Sequence, residues 1–99
     1  MATATTPTQQ QVDEIVAKLA PDVVRIRFNE ALDWSDDPAI YFRVVLSDDA
    51  SRRDRLAGVA ARVRGKLTEE LGLEPQVRIP YVRFRSKSEQ DRMNDPAWD

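Results

Sequence analysis

Three stretches of this chain alternate apolar residues with others that are mostly arginine: DVVRIRF at 22–28, AIYFRVVL at 39–46 and VRIPYVRFR at 77–85. Successive side chains on a β-strand point to opposite faces, so a period of two describes a sheet with one apolar face. The other face carries Arg25, Arg27, Arg43, Arg83 and Arg85, with Tyr41 beside them. No carboxylate within the runs 23–28, 40–46 and 77–85 answers those arginines. Like charges opposite one another across strands destabilise a sheet, so something acidic is expected to meet this face. Another chain, an RNA and the chain's own tail all qualify.

Composition bounds the rest. Ninety-nine residues make one domain around a single core. Fifteen basic and 17 acidic side chains leave a net charge of −2, which is not the composition of a nucleic-acid-binding chain as a whole. The signs are segregated, however, and local charge decides what a surface attracts. With no cysteine and no histidine, disulfides, thiol or imidazole catalysis and Cys/His zinc sites are ruled out. The remaining acids and bases are carboxylates and lysines without evident pairing, so the chain is read as a non-enzyme that uses no metal or other cofactor. No apolar stretch approaches the roughly 18 residues of a spanning helix, and the N-terminal residues lack a charged-then-apolar signal pattern. A cytoplasmic protein with no membrane contact is the expectation.

Residues 1–11 are polar and read as a disordered leader. A short helix follows, with Val12, Ile15, Val16 and Leu19 at helical spacing before Pro21. After the first two strands, Ser47, Asp48 and Asp49 are expected to open the main helix by capping its free amides. Its apolar stripe is Leu56, Val59 or Ala60, Val63, Leu67 and Leu71, and Gly72 supplies a stop. The third strand changes phase around Pro80, which suits a bulge or an edge position. The order helix, strand, strand, helix, strand predicts an α+β two-layer sandwich, a three-stranded sheet with helices on one face, over residues 12–86. Residues 87–99 form a polar tail.

The arginine face admits three readings. It is a protein interface, where arginine and tyrosine are favoured; a solvated face whose arginine stems cover apolar surface; or an RNA-binding sheet using phosphate contacts and stacking. No stacking-aromatic RNA signature accompanies the charge. The turn holding Asp33, Trp34, Asp36 and Asp37 could offer oxygens to Mg²⁺ or Ca²⁺, but it matches no calcium loop. It reads better as an ordinary turn, with Trp34 packed as a lid on the core. Gly65, Lys66, Leu67 and Thr68 faintly echo a phosphate-binding loop; the pattern fails at Ala60 and at Leu67. The basic side chains of the main helix, including Arg52, Arg53, Arg55, Arg62 and Arg64, read as a solvated face. Trp98, near the end of a polar tail, needs a surface to bury against, in its own domain or on a partner. Folding back would bring Glu89, Asp91 and Asp95 over the arginines.

The strings DPAIYFRVVLSD at 37–48, FRSKSEQ at 84–90 and DPAW at 95–98, with Asp33-Trp34, resemble a family of small bacterial proteins often encoded beside a HEPN-domain protein. That resemblance implies one half of a toxin–antitoxin-like pair. It supplies no catalytic residues to carry over, and the Gly-Ser motif of the nucleotidyltransferase partners of HEPN toxins does not occur here. The family pattern has glycine where this chain has Asp36.

The sequence therefore points to a non-enzymatic protein-interaction module, antitoxin-like or regulatory, with Arg25, Arg27, Tyr41, Arg43, Arg83, Arg85 and Trp98 as contact candidates. An RNA-binding domain is the alternative. An exposed sheet edge also permits a homodimer by strand pairing.

Overall fold

The computed structural model describes residues 6–99. Helix α1 spans Gln9–Leu19, strand β1 Val23–Leu32, strand β2 Pro38–Leu46, helix α2 Leu56–Leu71, strand β3 Ile79–Ser86 and helix α3 Lys87–Met93, followed by a 3₁₀ turn at Pro96–Trp98. The sheet order is β1-β2-β3; β1 and β2 form an antiparallel hairpin, and β3 returns parallel to β2 after α2. This is the α+β architecture that the alternation and the helical stripes predict.

The apolar residues of the strands sort as expected. Ile26, Ile40, Phe42, Val44 and Leu46 join Val12, Ile15 and Leu19 of α1 and Val59, Val63 and Leu67 of α2 in one buried cluster. Each fully buried aliphatic side chain of this kind stabilises the fold by about 1.5–3 kcal/mol, so the cluster fixes which face of every strand is inward. In β3, Val82 and Phe84 face the same way as Phe42 and Val44, but they are only half-buried.

Several expectations need correction. The first helix begins earlier: Thr8 caps it, accepting from Gln11 N while the Gln11 side chain takes the Thr8 amide, and Pro7 is buried. Residues 7–11 thus belong to the domain, and residues 1–5 of the expected leader lie outside the described residues. The main helix starts at Leu56 rather than near Ser47. Residues 48–55 make successive turns instead, because Ser47 Oγ accepts from Ala50 N, and Asp49 and Asp54 engage Arg52 locally. No bulge occurs at Pro80, whose register with Ile40 is continuous; Pro80 is accommodated on an edge strand. The bulge falls in β1, where the register shifts between Val23 and Arg25 and leaves Val24 exposed. Among the described residues no helix is long and apolar enough to cross a membrane.

Candidate functional site

The registers of β2 against its two neighbours arrange the non-core face in rows across the sheet. Arg25, Val45 and Arg85 form the first row; Arg27, Arg43 and Arg83 the second; Asn29, Tyr41 and Tyr81 the third. Three arginines aligned side by side on adjacent strands are the arrangement that like-charge repulsion disfavours.

The first row is covered by the chain's own C-terminal segment. Ser86 ends β3 and caps α3, accepting from Glu89 N while Glu89 takes the Ser86 amide. Asp48 holds the same helix start, accepting from Ser88 N at 2.9 Å and from the Ser88 hydroxyl. Asn94, in the left-handed region at φ 49°, then turns the chain back, and Asp95 caps the 3₁₀ turn. Trp98 arrives on the first row only 5% exposed, with the Arg85 guanidinium 4.2 Å from its ring centroid. Buried Gln90 ties the segment together: its Oε1 accepts from Arg85 at 3.0 Å, and its Nε2 donates to the Asp95 carbonyl at 2.7 Å and to Asp99 Oδ1 at 3.1 Å.

Three consecutive main-chain oxygens finish the cover. Arg43 Nε donates to Ala97 O at 2.6 Å, Arg25 Nε to Trp98 O at 2.7 Å and Arg27 Nε to Asp99 O at 2.7 Å. Carboxylates contribute less than expected: Arg85–Asp95 is 3.5 Å and Arg25–Asp99 3.7 Å. Glu89 is consumed by its own helix cap and Asp91 by Lys87, so neither lies over the arginines as anticipated. The polar tail is therefore a folded part of the domain, and the face is not left bare.

The second row is treated differently. Arg27 and Arg43 have main-chain oxygens as partners, those of Asp99 and Ile26 for Arg27 and that of Ala97 for Arg43, which also donates to the Asn29 side chain. Arg83 is exposed, and among the described residues none of the three is paired with a carboxylate side chain. In the third row the Tyr41 and Tyr81 rings stack on each other, with centroids 5.1 Å apart and planes at 14°. Tyr81 donates its hydroxyl to Asp33 Oδ2 at 2.9 Å, and that bond to a carboxylate raises the phenol pKa.

Asp33 organises the β1–β2 turn. Burial pushes its carboxyl up, but the amides of Asp37 and Ser35 and the Tyr81 hydroxyl outweigh that, and its pKa lies below the ordinary value. Asp36 occupies the left-handed region at φ 62°, the last of the three residues enclosed by the hydrogen bond from Asp33 N to Asp37 O. Trp34 is not a lid on the core: it stands 92% exposed at the turn's tip, because the Asp33 hydrogen bonds fix the loop with residue 34 pointing away. Among the described residues no group of three or more acidic side chains is placed to hold a metal ion.

On the helix side, Arg55 and Arg62 converge on Asp22 at 2.8 and 2.6 Å, lowering its pKa and fastening α2 to the start of β1. Gly65 to Thr68 lie inside α2. Comparison of the chain with protein-family models, with curated proteins and with solved structures gives no match.

Proposed function

We propose that the chain is a small protein-interaction module that binds an acidic segment of a partner protein across the second arginine row. The observation that carries this reading is the alignment of Arg27, Arg43 and Arg83 in register on three strands, with no carboxylate side chain paired to any of them among the described residues. A carboxylate-bearing segment laid along that row would relieve the repulsion and gain charge-assisted, bidentate hydrogen bonds. Arg25, Arg85 and Trp98 drop to a supporting role, since they hold the C-terminal segment in place; Arg27 and Arg43 use their Nε atoms on the same segment, so exposed Arg83 leads the contact with the partner.

A protein fits this row better than RNA does. The adjoining tyrosines each have one face taken by the other, and the acid Asp33 bonded to Tyr81 would repel a phosphate backbone. The resemblance in sequence makes an operon-encoded HEPN-type protein the first partner to try. Affinity capture from native cells tests the reading, with wild-type and Arg83→Glu bait, each with and without RNase. A stoichiometric protein that survives RNase and is lost with Arg83→Glu supports it. A partner indifferent to Arg83→Glu, or recovery of RNA alone, overturns it.

A further inference from the structure

Two features of the apolar surface meet through Tyr81, which borders one and is hydrogen-bonded to the other. One is the β1–β2 turn, where Trp34 is 92% and Leu32 61% exposed, flanked by the exposed carboxylates of Asp36 and Asp37. The other is a cleft of about 330 Å³ between the second half of α2 and the edge strand β3, lined by Arg64, Leu67, Thr68, Leu73, Pro80 and Val82, with Tyr81 at its border. The cleft has a plain origin. Helix α1 lies over β1, and every residue of β3 retains some exposure, so the apolar side of the third strand is left without full cover.

We infer that the turn of one copy seats Trp34 in this cleft of a second copy, forming a two-fold dimer with two such contacts. Three observations carry the match. At about 330 Å³ the cleft has room for an indole and stands at the lower limit of small-molecule sites, which suits an anchor side chain. Its rim is basic where the turn is acidic: Arg64 borders the cleft, and Asp36 and Asp37 flank Trp34. The Arg64 guanidinium already lies 5.1 Å from the Phe84 ring centroid, and its other face can take an indole, as Arg85 does for Trp98 at 4.2 Å. The Tyr81–Asp33 hydrogen bond holds turn and cleft next to each other, so one two-fold axis can serve both contacts in an isologous pair. This contact leaves the second arginine row uninvolved, so it stands apart from the proposed acidic partner.

Sedimentation of the purified chain over a wide concentration range tests the inference, with Trp34 fluorescence followed in parallel. Trp98 is a buried, constant background. The wild-type chain is expected to approach dimer mass as its emission shifts to the blue. Trp34→Ala and Thr68→Arg change exposed side chains and leave the core intact. Each should weaken association at least about thirtyfold, the scale of a buried tryptophan anchor. A wild-type chain that stays monomeric overturns the inference, as does a dimer indifferent to either substitution. Neither result bears on capture through Arg83.

Discussion

The Arg85 guanidinium and the Trp98 ring lie 4.2 Å apart across the join between the sheet and the segment that closes it. Arg85 reaches this position because it shares a row with Val45, which is fully buried beneath the returning chain. Gln90 and Asp95 hold the guanidinium from the side, so the ring meets a preset cation. The contact joins residues 13 positions apart in sequence.

Removing the ring should open the segment. Trp98→Ala is expected to cost about 3 kcal/mol in denaturant titrations, the low end for deletion of a buried aromatic side chain. Hydrogen exchange should rise across residues 87–99 while the core cluster keeps its protection. The freed Arg25, Arg43 and Arg85 should also bind heparin with an affinity that falls steeply with salt, which the wild type should show far less. Unchanged exchange in that segment would refute the assignment of Trp98 as its anchor.

Gln90 is the buried polar hub of the same segment. Gln90→Leu keeps the volume but removes three hydrogen bonds, leaving the Asp95 carbonyl with only the Trp98 amide and Arg85 Nη1 with only the Asp95 carboxylate at 3.5 Å. A loss of about 1–3 kcal/mol is expected from chemical denaturation, despite the gain in hydrophobicity.

The turn residue Asp36 works against its own backbone. An L-residue in the left-handed region carries a penalty of about 1–2 kcal/mol, less for Asp, and glycine carries none. Glycine also gives back part of the gain through the freer unfolded chain. Asp36→Gly should therefore raise stability by about 0.5 kcal/mol, read as a higher denaturation midpoint with unchanged slope.

Stability should be flat between about pH 5.5 and 8, where a chain without histidine or cysteine has little to titrate. The carboxyls of Asp22, Asp33 and Asp48 lie below their ordinary values, held down respectively by Arg55 and Arg62, by the turn amides with Tyr81, and by Ser88. Their stabilisation is complete above the unfolded value of about 3.9 and is lost as pH falls through the folded values. At the alkaline end, the raised phenol of Tyr81 favours the protonated form in the fold, so its contribution disappears as pH climbs past about 10. Thermal melts at fixed ionic strength check both limits; a main acid transition between pH 5 and 7 would contradict the assignment.

The sheet, its faces and the helical stripe were legible because a period of two or of 3.6 is written residue by residue, as in Ile40, Phe42, Val44 and Leu46. The cap at Ser86–Glu89 was also readable as a Ser-x-x-Glu box, a signal that α3 begins where a tail was expected. What could not be read is what depends on position in space. Asp48 looked like a cap for the helix that follows it, yet it caps a helix 40 residues on. Trp34 and Trp98 sit in equally polar surroundings in sequence, and only the tertiary path buries one at 5% exposure and leaves the other at 92%. The second arginine row was visible as charge but not as a row, since its alignment depends on the parallel register of β3.

The segment that covers the first row is made after every strand it touches. Until residues 87–99 dock, the sheet lacks that cover and shows a cationic face. The same arginines that close the folded molecule thus give any state with the segment undocked a salt-sensitive stickiness toward polyanions.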